Sequence, residues 1–339
     1  MPMKPYTYLV VLLVLLALSS PGRAEEHKPV PPAATPQEIA QWVAELGDED
    51  YEVRTTAEVK LSKCGSAACA ELEKAQQHED AELRTRAQKL LGPLITGPYF
   101  DKMRDALAAA KTLECKVAMT VKAPGASTDY KGSLKASADA KTWSMDLNCS
   151  TGGQEMPMQY VCDGTTVFQA TTYAAGGGKK QTQVVKYGAT SYEKISTWTP
   201  LYAPCPLQLF RAMRTRFDFR SVTQAKLEGE DVVVLEGRVH LDAEAAFLAA
   251  ITEVGGAWLA NQGRASGGAG ALARVYLAKA DNMPRKLVIL DGTGDEFQTI
   301  LLSEIKTGIT LDETAFRYEI PKGVRVHDME QTFQQQRGR

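Results

Sequence analysis

The chain has 339 residues, 39 Lys and Arg against 41 Asp and Glu, and 44% apolar residues. A formal charge of −2 argues against a nucleic-acid partner, because phosphate binding needs a basic surface. The length and apolar content suit a globular protein of one or two domains, and the absence of G-x-S-x-G, H-E-x-x-H and C-x-x-C removes the common signatures of hydrolytic, metal and redox chemistry.

Residues 1–24, MPMKPYTYLVVLLVLLALSSPGRA, have the order of a secretory signal peptide. Lys4 supplies the positive start, Tyr8 to Leu18 the apolar run, and Gly22 and Ala24 the small residues before a cleavage point. The run is well short of the ~20 residues that a membrane-spanning helix needs. Cleavage after Ala24 leaves 315 residues with a formal charge of −4. The expected location is periplasmic or secreted, with no transmembrane segment after cleavage. Residues 25–36 are Pro-rich and charged, and read as a linker.

A repeat follows. EDYEVRTTAEVKL from Glu49 recurs as EDAELRTRAQKLL from Glu79. Asp50 and Asp80 are suited to cap helices, and Glu52 and Glu82 fall in first turns, where the helix dipole favours negative charge. Val53, Ala57 and Leu61 form one apolar stripe; Leu83, Ala87 and Leu91 form the other. Residues 37–95 therefore read as two helical hairpins. Their Asp-x-x-Val/Leu-Arg-x-x-Ala pattern resembles HEAT-type repeats, which implies packing on the next domain or a protein partner.

From Tyr99 one more amphipathic helix leads to Leu113, after which the period becomes two. Cys115, Val117, Met119 and Val121 share a face; so do Tyr130, Gly132, Leu134 and Ala136, and Trp143, Met145, Leu147 and Cys149. Further strands are expected within 158–162, 165–173, 181–187, 221–228, 231–241, 273–279, 285–290, 297–306 and 315–320, with helices at 206–215 and 242–260. The expected fold class is α+β. It comprises a large curved antiparallel half-barrel with helices in its concave mouth, plus the small N-terminal α-helical hairpin repeat domain. Residues 331–339 read as a polar tail.

Three stretches within residues 97–330 resemble the outer-membrane lipoprotein carrier and sorting (Lol-like) family. They are YKGSL at 130–134, VCDGTTVF at 161–168, and the C-terminal series MPRKLVILDGTGDEFQTILLSEIKTGITLDETAFRYEIPKGVRVHD. The resemblance implies an apolar cavity that takes acyl chains. The side chains expected to line it are Val117, Met119, Leu134, Trp143, Met145, Leu147, Tyr160, Phe168, Leu209, Phe210 and Phe316. Where that family commonly has a basic residue beside a proline before the third strand, this chain has Lys141 and no proline.

Six cysteines in an exported chain suggest disulfides. Cys64 with Cys69, Cys149 with Cys162, and Cys115 with Cys205 are the candidate pairs; buried free thiols are the alternative. The scattered His27, His78, His240 and His327 suggest no metal site, and no cofactor or catalytic residue is expected. Two functions fit. One is a non-enzymatic carrier of an acyl chain, lipid or lipidated protein. The other is an envelope scaffold or sensor, whose repeats bind a protein and whose β-domain is structural.

Overall fold

The computed structural model describes residues 34–123, 126–174, 179–196, 205–240 and 271–337. The expected signal peptide and the helix expected at 242–260 lie outside them.

The helical region comprises α1 (Pro36–Glu45), α2 (Tyr51–Cys64), α3 (Cys69–Ala75) and the first half of α4 (Ala81–Ala110). The repeat in sequence is a repeat in hydrogen bonding. The Asp50 carboxylate accepts from Glu52 N at 2.8 Å, and Asp80 from Glu82 N at 2.7 Å. The arginine four residues after each cap reaches back to close the preceding loop. Arg54 donates to the carbonyls of Asp48 and Glu49 at 2.7 and 2.8 Å, and Arg84 to those of His78 and Glu79 at 2.6 and 2.7 Å. Ile39, Leu46, Leu61, Leu72, Leu83 and Leu91 bury together as a core of their own. Between the units, Arg86 bridges Glu58 and Glu82.

The helix expected to begin at Tyr99 has no separate start: α4 runs unbroken through Pro93 and Pro98. Its middle lies on a strand edge, where Thr96 Oγ1 donates to Phe219 O at 3.3 Å. A Cβ at Gly92 would stand 2.8 Å from that same oxygen. Tertiary contact thus offsets the cost of proline inside a helix.

Among the described residues twelve strands form one sheet, in the order β12-β6-β5-β4-β3-β2-β1-β11-β10-β9-β8-β7. They are β1 (Thr112–Ala123), β2 (Ala126–Ser137), β3 (Thr142–Thr151), β4 (Gln154–Asp163), β5 (Thr166–Ala174), β6 (Lys180–Gly188), β7 (Phe217–Leu227), β8 (Glu230–Val239), β9 (Leu272–Ala278), β10 (Pro284–Leu290), β11 (Glu296–Thr307) and β12 (Val326–Asp328). Two antiparallel meanders meet where β1 pairs with β11. The first runs outward to β6 and the second returns from β7, so the chain must pass from one edge of the sheet to the other between Gly188 and Phe217. The described helices on that crossing are α5 (Ala189–Ser196) and α6 (Pro206–Arg216).

Local chemistry sets the turns. Asp163 accepts from Thr165 N and Thr166 N at 2.8 Å, and Gly164 follows at φ 100°, the left-handed region that favours glycine. Asp291 accepts from Thr293 N and Asp295 N, which makes DGTGD a self-capped hairpin turn.

The C-terminus differs from expectation in two places. Residues 315–320 are not a strand. Asp312 caps a 3₁₀ turn at Glu313–Phe316 by accepting from Thr314 N at 2.8 Å, and the chain then crosses the outer face of the first meander. After the Pro321–Val324 turn, with Gly323 at φ 83°, β12 adds to β6 in parallel. Residues 331–339 are not merely a polar tail either: Met329–Arg337 form α7, whose Phe333 is 1% exposed inside the sheet's main core.

Candidate functional site

Period-two alternation places a cross-strand row on one face of nine strands. It runs from Met156 on β4 through Cys149, Tyr130, Met119, Ile300, Leu287, Val275 and Leu235 to Val222 on β7. Beside it, Cys115, Leu134, Met145 and Tyr160 form a parallel row. This is the concave face. Gly132 helps it bend, because a Cβ there would lie 1.8 Å from Asp146 O on β3.

Nine of the expected lining residues meet here: Val117, Met119, Leu134, Trp143, Met145, Leu147, Tyr160, Leu209 and Phe210, all buried in one cluster. Phe168 and Phe316 do not join them. Phe168 follows Val167, which points inward, so Phe168 points outward and stacks on Tyr318 at 5.4 Å. Phe316 sits in the 3₁₀ turn beside it, lining the same outer cleft. The alternation of Phe316, Tyr318 and Ile320 imitates a strand; the capped turn overrides it.

Helices close the concave face. From α6 come Leu207, Leu209, Phe210 and Met213; from α4, Phe100, Met103 and Leu107; and from α7, Phe333. α5 supplies Tyr192, whose ring lies 5.9 Å from Trp143, 6.4 Å from Tyr160 and 5.3 Å from Tyr187. Sequence reading missed α5. Its signal was the spacing of Tyr192, Ile195 and Ser196 in an otherwise polar stretch.

Polar anchors hold α6 to the β2–β3 turn. Gln208 Nε2 donates to Ala140 O at 3.3 Å, and Arg211 donates to the carbonyls of Ala138 and Asp139. The helical cover as a whole leaves polar atoms unsatisfied. Among the described residues, Trp143 Nε1, Ser196 Oγ and Gln208 Oε1 are buried without a hydrogen-bond partner, each at a cost of ~1–3 kcal/mol. At the end of α6, burial pushes the Arg216 guanidinium down to about 9, and its charge lies 5.4 Å from the Phe217 ring.

The six cysteines are unpaired thiols, so the disulfide candidates are corrected. Cys149 stands opposite Met156, whereas Cys162 stands opposite Trp143. That offset of six residues separates the two by about 20 Å at ~3.3 Å per residue. Cys64 turns back along its own helix to donate to Lys60 O at 3.3 Å, with a 3₁₀ turn between it and Cys69. Cys115 and Cys205 are unbonded under the start of α6. Burial pushes both up to about 12 and Cys162 up to about 11, so these thiols stay protonated at neutral pH. Among the described residues no group of His, Cys, Asp and Glu is arranged to hold a metal ion, and no helix is long and apolar enough to cross a membrane.

No protein-family model matches the sequence, and no curated protein matches it. Solved structures do match in shape. An uncharacterised conserved protein from Thermus thermophilus aligns over 69% of this chain and 99% of its own, at 15% identity and TM-score 0.40. A putative outer-membrane lipoprotein-sorting protein domain from Vibrio parahaemolyticus aligns over 64% and 94%, at 14% identity and TM-score 0.26. The MucA/MucB complex from Pseudomonas aeruginosa aligns over 66% of this chain and 61% of its own matched chain, at 12% identity and TM-score 0.33.

Proposed function

We propose that this chain is an exported binding protein, not an enzyme, which accommodates an acyl chain, a lipid or a lipidated protein between the concave face and α6. The observation that carries this reading is the seam. A continuous apolar face is covered by α6, which has few polar anchors among the described residues and whose buried Gln208 Oε1 has no hydrogen-bond partner, so α6 behaves as a displaceable plug.

The magnitudes favour exchange rather than a standing cavity. An acyl chain of ~16 carbons offers on the order of 10 kcal/mol at ~0.8 kcal/mol per buried CH₂. Lifting α6 exposes Leu207, Leu209, Phe210 and Met213, which at ~2 kcal/mol each costs about 8 kcal/mol. The two nearly cancel, so binding is reversible, as release of a cargo requires.

A second reading rests on the helical repeats. Tyr51 and Val59 are exposed large apolar residues, both on the outer side of α2. They support a scaffold or sensor in which the repeats hold a protein partner and the sheet is structural.

Native mass spectrometry of residues 25–339 purified from the envelope tests the first reading. A co-purifying acyl-bearing mass, lost on denaturation, is expected. A bare protein that also fails to take up a fluorescent fatty acid overturns it and leaves the repeats as the functional part.

A further inference from the structure

Where α4 crosses α6, a cleft of about 480 Å³ opens over the edge of the concave core, lined by Phe100, Asp101, Met103, Arg104, Arg211 and Arg214. Its floor is apolar: Phe100 and Met103 are buried members of the sheet's own core. Its rim carries three guanidinium groups and one carboxylate.

The charges are unequally matched. Arg104 is neutralised by Asp101 at 2.9 Å and Asp105 at 3.0 Å. Arg211 donates to the neutral carbonyls of Ala138 and Asp139, and no carboxylate among the described residues forms a salt bridge with it. Arg214 has a long contact with Asp101, at 3.8 Å, and lies over the Phe100 ring at 5.8 Å. Its side chain is 50% exposed, so an incoming group can reach it. Arginine presents planar paired donors that match phosphate and carboxylate oxygens.

We propose that this cleft is the head-group site for an anionic amphiphile, with Arg214 and Arg211 contacting its phosphate and the chain passing over Phe100 and Met103 beneath α6. The proposal rests on the acyl-binding reading and deepens it: apolar exchange alone is nearly balanced, and the head group supplies the preference. It also gives the opening of α6 a cause, because an anion drawn to Arg211 competes with the carbonyls of the β2–β3 turn that hold the helix down.

The test compares dodecyl phosphate with dodecyl maltoside, both below their micellar concentrations, by native mass spectrometry and displacement of a fluorescent fatty acid. The protein is the mature chain and its Arg214→Gln and Arg211→Gln variants. The expected result is tighter binding of dodecyl phosphate by wild type, by roughly tenfold or more, and an advantage that shrinks as salt is raised. Arg214→Gln should lose most of that advantage, read as the ratio of its affinities for the two amphiphiles. Arg214→Gln removes only a long ion pair and a partly exposed ring contact, so it keeps the proposal testable if Arg211→Gln does not fold. Equal binding of the two by wild type, or a preference untouched in Arg214→Gln, overturns the head-group site and leaves the acyl site standing. Binding of neither amphiphile overturns both.

Discussion

The two faces of the first meander bury apolar side chains in different ways. The concave face is deep and aromatic, with Trp143 and Tyr160 of the sheet and Tyr192 and Phe210 of the covering helices all under 2% exposed. The outer face is polar and open, with clefts of about 880 and 670 Å³ beside the C-terminal segment. Val161, Ala170 and Val184 are buried there, and Phe168 is half-buried, under the crossing C-terminal segment. The outer patch is covered by a short strap; the concave face is a large apolar surface covered by α4 and α7 as well as by chain obliged to cross from β6 to β7. Only the second is a continuous apolar surface spanning both meanders.

That contrast is most exposed to Trp143→Ala, which should cost ~3–5 kcal/mol of unfolding free energy in a denaturant titration. Phe168→Ala, half-buried on the other side, should cost about 1 kcal/mol, a fraction of the value for a fully buried side chain. Equal losses at the two positions would abolish the distinction between core and outer patch. Between them lies Gly132→Ala, expected to cost ~1–3 kcal/mol by overpacking, since its methyl would collide with Asp146 O. It should also shift β2 and β3 amide resonances together; a silent substitution would show that the bend does not depend on this glycine.

The smallest effect concerns the C-terminal clasp. The side-chain hydrogen bond from Lys186, at 3.0 Å, holds the Asp328 carboxyl below the usual carboxylate range. A depressed carboxylate pKa contributes stability that is fully present above the unfolded value of ~3.9 and is lost as pH falls through the folded value. The pair is partly exposed, so Asp328→Asn should cost under ~1 kcal/mol. It should make α7 easier to cleave by protease at neutral pH, and in wild type the same change should appear only in acid. Acid-independent cleavage would place the clasp elsewhere, for instance in the Glu330 side chain that accepts from Gly188 N.

Much of this was legible in the sequence because local rules and the fold agree. The Asp50 and Asp80 caps, the paired arginines and the alternation of Cys115, Val117 and Met119 each point to the element found. The failures came where a long-range contact decides. Phe316 and Tyr318 alternate like a strand, yet the capped turn holds Phe316 and Tyr318 covers Phe168. Phe333 is hidden in a polar stretch because one residue, not a stripe, enters the core. Cys149 and Cys162 both lie near the ends of neighbouring antiparallel strands, and the pairing register, which residue types do not reveal, separates them. The seam at α6 was not foreseen at all, since unpartnered atoms such as Gln208 Oε1 exist only once the helix and the β2–β3 turn have met.

The claim that α6 is a displaceable plug is tested most directly by hydrogen exchange, followed by mass spectrometry, across residues 205–216 of the mature chain with and without a bound fatty-acid probe. The account predicts that probe binding lowers protection in α6 while leaving the central strands β1 and β11 unchanged. Probe binding with α6 protection unchanged or increased would contradict it.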